Sequence, residues 1–296
     1  MKTILVPTDF SKNAENALHY AINLAEKTHA KIILLHSFHI DYTNAYVPPN
    51  VVEKEIEDAK VSSNKQLKTL YNKVSHHAKH PIECVSSQNF AVDAILNTIK
   101  EHDVDLIVMG TTGATGMLGR QIFGTNSSRV IEKASCPVIT VPEDNTHTNI
   151  KTIVYATTYL NSDIDCLQNL VSLAKLFDAN LQVIHVSLLE EDVEHEKKKM
   201  EKFKQIVTKS IAYEKITFKT LLGHSIEERL EGYMEEEKDV DMLVMSAHYR
   251  NLMDKLFGKS ITKVMALYLK TPLMIYHHKR NKSDDATDYA VEKLIF

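Results

Sequence analysis

Residues 103–113 read DVDLIVMGTTG, and residues 239–249 read DVDMLVMSAHY. The DVD lead-in is the same and the apolar run is closely similar, LIVM against MLVM; the last four letters differ. The echo extends in both directions. KTILVPTDF (2–10) returns as KTIVYATTY (151–159), KIILLHS (31–37) as NLQVIHVS (180–187), and SCPVITVP (135–142) as KTPLMIYH (270–277). The order is the same in both halves, which is the mark of a repeated structural unit. The 296-residue chain is therefore two copies of one unit of about 140 residues, with shorter loops in the second copy. The joint is the polar stretch EDNTHTN (143–149). The expected domains are residues 1–144 and 150–278, followed by a tail at 279–296.

Within each copy, strand and helix patterns alternate. In the first, ILVP is a short apolar run. Ser11 then stands where a helix cap belongs, ahead of Ala14, Ala17, Leu18, Ala21, Ile22 and Ala25, which recur at helical spacing. IILLH is a second strand, followed by a helix from about Val51 to Ser75. IECVSS, DLIVMG and CPVITVP read as further strands, separated by the helical stretches AVDAILNTIKEHD and SSRVIEKA. Strands apolar on both faces, alternating with helices, make a parallel sheet covered on both sides. The fold class is α/β: two repeated, doubly wound, five-stranded parallel-sheet domains of the Rossmann-like kind. Such folds bind ligands at the carboxyl ends of their strands, where the strand order reverses.

Composition excludes several function classes. Net charge is -4 with no strongly basic half, so no nucleic-acid partner is expected. No stretch nears the roughly 20 apolar residues of a membrane span, and the apolar part of MKTILVPTDF is too short for a signal peptide. Cys84, Cys136 and Cys166 are few, odd in number and widely spaced. They indicate a reducing compartment and no disulfide framework. The expectation is a soluble, cytoplasmic protein.

The chain has eight glycines, and five of them, Gly110, Gly113, Gly116, Gly119 and Gly124, crowd into one loop. The loop starts at the end of the fourth strand and leads into a helix at Thr125. A helix N-terminus carries unpaired N–H donors and a partial positive charge, and glycines before it let the backbone approach a phosphate. A phosphate cradle is the reading. It is not a Walker loop, because FGKS (257–260) has Met253 where the motif needs glycine. Nor is it the dinucleotide fingerprint, because PTDFS after the first strand has no glycine.

With Gly110, Gly113, Gly124 and Thr125 after strand four and Asp9 after strand one, the sequence resembles the universal stress protein family in its tandem two-domain form, over residues 1–278. ATP-binding members of that family carry G-x2-G-x9-G-[ST] in this place. Here ten residues, not nine, separate Gly113 from Gly124, with Gly116 and Gly119 between them to absorb the extra one. The resemblance implies that Asp9 holds the ribose with Pro7 and Thr8 alongside. Ser37 and Met109 line the adenine pocket, and Gly110, Gly113, Gly124, Thr125 and Asn126 belong to the phosphate loop. The cofactor implied is ATP, with Mg²⁺ as an optional companion, and no structural metal. The second copy departs from the pattern. Thr158 stands for Asp9, Ser246 for Gly110 and Tyr249 for Gly113, leaving Gly258, Lys259 and Ser260. It reads as a degenerate partner without nucleotide. The two repeats are expected to pair through CPVITVP and PLMIYHH, and a homodimer of whole chains stays open.

Other constellations weigh less. His76 and His80 would sit at i, i+4 on one helical face and are expected to be a solvated helix end rather than a metal pair. His36 and His185 share one place in the two repeats and read as fold histidines. EHEKKKMEKFK (194–204) reads as the solvated face of a long helix, and Cys136 as buried and inert. The functional expectation is an adenine-nucleotide-binding, non-catalytic stress regulator or chaperone-like protein. A slow ATPase or phosphate donor, and a nucleotide-free dimerisation scaffold, are the alternatives.

Overall fold

The computed structural model of the chain describes residues 1–40, 48–111, 125–143, 145, 149–188, 193–237, 239–246 and 271–276. The described residues fall into two compact units, one within residues 1–143 and the other within residues 145–276. The expected tail, 279–296, lies outside the described residues.

The first unit runs β1 (Thr3–Pro7), α1 (Lys12–Thr28), β2 (Lys31–Phe38), α2 (Pro49–Val74), β3 (Ile82–Gln88), α3 (Ala91–Glu101), β4 (Leu106–Gly110), α4 (Thr125–Lys133) and β5 (Val138–Val141). Its strands are all parallel, in the order β3-β2-β1-β4-β5. The second unit runs β6 (Thr152–Ala156), α5 (Asn161–Phe177), β7 (Asn180–Leu188), α6 (Val193–Ser210), β8 (Ile216–Gly223), α7 (Ile226–Glu236), β9 (Met242–Ser246) and β10 (Leu273–Tyr276). Its strands are also parallel, in the matching order β10-β9-β6-β7-β8.

The local physics follows the pattern of the residues. Ser11 caps α1, its Oγ accepting the Ala14 N–H at 3.2 Å. Ala14, Ala17, Leu18, Ala21, Ile22 and Ala25 all face the core. The repeated DVD lead-in also has a purpose. Lys2 and Thr3 N–H donate to Asp105 Oδ2 at 2.6 and 3.0 Å, and Lys151 and Thr152 N–H donate to Asp241 Oδ2 at 2.7 and 2.9 Å. Each aspartate thus ties the start of its unit's first strand to the strand that will lie beside it.

Three expectations need correction. β3 mixes exposed with half-buried residues, and β8 does so until its buried Leu221 and Gly223, instead of burying both faces. The doubly buried pattern holds for β1, β4, β5 and β9, whose residues are nearly all buried, and not for these two strands. His76 and His80 do not share a helical face. α2 ends at Val74 with Ser75 as its C-cap, and a turn follows. The His80 ring instead meets His29 edge-on at 5.1 Å. Third, α6 is not solvated throughout. Its Glu194–Lys197 and Glu201–Lys204 pairs are exposed, but Glu196 turns inward with Met200, Phe203 and Val207. No group of three metal-ligating side chains occurs among the described residues. No described helix is long and apolar enough to cross a membrane.

Candidate functional site

In the first unit, β1 lies between β2 and β4. The chain winds from β1 to one side and from β4 to the other, so the order reverses between these two strands. A crevice opens at the carboxyl ends of strands at such a point. The residues that end β1 and β4 are therefore the ones a ligand would meet.

The turn after β1 is held by its own side chains. Thr8 is buried, its N–H donating to Leu35 O at 2.8 Å and its Oγ1 accepting the Phe10 N–H at 3.0 Å. Phe10 sits in the left-handed region, at φ 62°. Its ring packs 4.4 Å from the ring of His36. Asp9 is exposed, with Oδ1 accepting the Ser11 N–H at 3.0 Å. The turn presents this carboxylate outward, over the N-terminus of α1.

Across the crevice, Gly110 ends β4 where nothing larger fits. A Cβ there would lie 2.9 Å from the carbonyl carbon, carbonyl oxygen and Cγ of Asn13. Ser127 Oγ donates to Gly110 O at 3.4 Å, tying the first turn of α4 to the strand end. The buried Asn13 Oδ1 has no hydrogen-bond partner among the described residues. An outward carboxylate, a strand end with no space for a side chain and a tethered helix N-terminus fit a phosphorylated ribose. The carboxylate accepts from hydroxyls, and backbone N–H groups receive the anion.

The other expected residues are distributed around this centre. Pro7 closes β1, half-buried, and Met109 is buried in β4 beside Gly110. Ser37 is half-buried near the end of β2, in register with Ser87. Thr125 opens α4 and Asn126 is exposed in its first turn. Gly113 and Gly124, with most of the glycine loop, lie outside the described residues.

His36 underpins the turn. Ser86 Oγ donates to Ser63 Oγ at 2.8 Å, and Ser63 Oγ lies 2.7 Å from His36 Nδ1. A serine hydroxyl both donates and accepts, so Ser63 can hold the His36 ring in either neutral tautomer. Burial pushes the His36 pKa down, against the pull of the Asp9 charge.

The second unit repeats the scaffold and changes the contents. Thr157 Oγ1 accepts the Tyr159 N–H at 3.0 Å, Tyr159 has φ 64°, and its ring stacks on His185 at 4.1 Å. In place of an outward carboxylate stands an inward one. Asp163, fully buried in the first turn of α5, accepts from Tyr155 OH (2.6 Å), Thr157 Oγ1 (2.7 Å), Thr158 N–H (2.9 Å) and Leu160 N–H (3.1 Å). The donors of this turn are consumed internally. Ser246 replaces Gly110, and Ser162, at the helix position that Asn13 holds in the first unit, is smaller than asparagine. Burial raises the Tyr155 hydroxyl and the Cys166 thiol well above their ordinary ranges, and the Asp163 charge adds to both. Cys166 is therefore an inert thiol.

Sequence reading missed Asn13, Ser127 and Asp163. None left a clear local signal; Asp163 does accept the N–H of Leu160, the residue that caps α5, but leucine is not a capping residue.

Comparison with known proteins agrees with this fold. A model of the universal stress protein family matches residues 1–142. Universal stress protein MJ0531 of Methanocaldococcus jannaschii is 30% identical over 140 residues, covering 47% of this chain and 81% of the relative. Universal stress protein Slr1230 of Synechocystis is 24% identical over 299 residues, covering 93% of this chain and all of the relative. Among solved structures, a universal stress protein from Archaeoglobus fulgidus shares the fold across 93% of this chain and 96% of its own, with a TM-score of 0.67 at 16% identity.

Proposed function

We propose that this chain, which belongs to the universal stress protein family, binds one molecule of ATP in its first unit and acts as a non-catalytic regulator. The observation that supports this is the meeting of Asp9, Gly110 and the start of α4 at the reversal of strand order. In this reading Asp9 accepts hydrogen bonds from the ribose hydroxyls, with Pro7 and Thr8 framing it. Gly110, Gly113, Gly124, Thr125 and Asn126 receive the phosphates, and Ser37 and Met109 flank the base. ATP, with Mg²⁺ as counterion, would supply an occupancy signal of the cell's energy state. The same reading makes the chain the tandem form of the family, cytoplasmic, with a second unit that keeps the fold and takes no nucleotide.

The test is titration calorimetry with ATP and Mg²⁺ on protein shown to be nucleotide-free, together with a thermal scan. One site per chain is expected. Ligand at about 100 times Kd adds roughly 2.7 kcal/mol of stability. Absence of both heat and thermal shift would overturn the reading, and steady accumulation of ADP would move it to an ATPase.

A further inference from the structure

We propose that Phe90 and His39 form a stacking shelf for the base of the nucleotide bound by the first unit. The proposal rests on the ATP reading above and adds a recognition element to it.

Phe90 is 58% exposed, the most exposed large hydrophobic side chain among the described residues. It also occupies the N-cap of α3, with φ -63°, ψ 147° and no side-chain hydrogen bond to the helix. Polar residues lead at that position because they satisfy an orphan N–H. A phenylalanine there forgoes the cap and presents a ring to water. The ring does not stand alone: its centroid is 3.7 Å from that of His39, at an interplanar angle of 31°.

The place of the pair says what it is for. His39 follows the end of β2 and Phe90 follows the end of β3, strands in register at Phe38 and Gln88. All the strands of this sheet are parallel, so both rings stand at the carboxyl edge, the edge where Asp9 and Gly110 also lie. The strand order β3-β2-β1-β4 then lays out the parts of one ligand in sequence. Phosphates fall at β4 and α4, ribose at Asp9 after β1, and the base toward Ser37 on β2. The shelf at β2 and β3 comes next.

The second unit supplies the control. Ser225 stands where Phe90 stands, and its Oγ accepts the Glu228 N–H at 3.1 Å, an ordinary cap. Leu188, the last residue of β7, takes the place of His39. The unit that spends its turn donors on its own Asp163 has a normal cap, and the unit with the outward carboxylate has the aromatic pair. A stacked aromatic ring is sequence-tolerant and binds any planar base through its face.

The chain has no tryptophan, so Phe90→Trp installs a single reporter on the shelf. The experiment titrates this variant with ATP and, separately, with inorganic tripolyphosphate, and measures ATP affinity of wild type and Phe90→Ser by calorimetry. Expected are a saturable fluorescence change with ATP and none with tripolyphosphate. Phe90→Ser, which copies Ser225, is expected to weaken ATP binding about 10-fold without lowering Tm. Full ATP affinity in Phe90→Ser, or an equal signal from tripolyphosphate, overturns the shelf and leaves the ATP reading standing. Wild type that binds no ATP overturns both.

Discussion

The two units build the same turn and fill it in opposite ways. Both close it with a threonine hydroxyl accepting the N–H of an aromatic residue at positive φ, and both pack that aromatic against the histidine at the end of the second strand. The fold needs these parts, because both copies keep them. The carboxylate is what differs. In the first unit it is Asp9, outward and exposed. In the second it is Asp163, inward and fully buried, at the helix position that Ala14 holds in the first. The histidines differ in the same sense. His36 rests on the hydroxyls of Ser63 and Ser86. His185 donates from Nδ1 to Thr157 O at 2.9 Å, with Nε2 3.5 Å from the buried Glu196, which Lys199 also meets at 2.7 Å. A buried ion cluster is weak evidence for stability, and the first unit makes the same fold without one among its described residues. The second unit has turned charge inward, where its own donors consume it; the first has left charge at the surface, where a ligand can use it.

The largest test of this contrast is Asp163→Ala. It removes the shared acceptor of the Tyr155 and Thr157 hydroxyls and of the Thr158 and Leu160 N–H groups, leaving Tyr155 only the Cys166 thiol. Leaving such donors unpaired should cost about 4 kcal/mol, which lowers the melting temperature of the second unit by roughly 10–20 °C. ATP titration of the folded variant should be unchanged. Loss of ATP binding in a variant whose first unit is intact by hydrogen exchange would break the separation of roles.

The converse is Asp9→Ala. Asp9 is exposed, and its one hydrogen bond within the turn, from Ser11 N–H, is local. Its removal should leave thermal stability without ligand nearly unchanged. Loss of a charge-assisted acceptor should weaken ATP by about 1.5–3 kcal/mol, roughly 10- to 100-fold. A variant that loses stability but keeps affinity would show that Asp9 serves the turn rather than a ligand.

Gly110→Ser copies Ser246 into the first unit. The new Cβ meets Asn13 at 2.9 Å, and overpacking of this kind costs about 1–3 kcal/mol. Adding Asn13→Ser, which copies Ser162, relieves the clash with Cγ but not that with the backbone. The double variant should recover part of the loss in chemical denaturation. Additivity of the two substitutions would mean that the strand end and the helix do not set each other's size.

How much of this was legible in the letters depends on the range of the interaction. The repeat, the parallel α/β class and the capped α1 could be read because periodicity and caps are local. Asp9 and Gly110 could be found because they sit next to strands, at a place the topology marks. Asn13 against Gly110 and Phe90 against His39 could not, since nothing local announces which residues on different elements will touch. Glu196 was read as solvated because a charge in a run of charges gives no sign of facing inward. His76 and His80 misled because their spacing is helical while the helix itself stops at Val74.

The smallest effect is one of pH, and its sign can be worked out. Burial holds the His36 pKa below the ordinary 6.5, so the folded first unit keeps this ring neutral while the unfolded chain protonates it near 6.5. The folded state then binds fewer protons across that window. The contribution of His36 to stability is fully present above about pH 6.5 and is lost as pH falls through the folded-state value. Denaturation of wild type and of His36→Gln at pH 7.5 and 5.5 reads it out, the wild type losing more on acidification than the variant. Asp9→Asn sharpens the test. The Asp9 charge is what opposes burial at His36, so neutralising it should push the His36 pKa lower still, measured by the ring-proton shift in NMR. An upward move, or none, would mean that the outward carboxylate and the histidine beneath the turn are not electrically coupled. In that case ligand charge arriving at Asp9 would leave the His36 proton where it was.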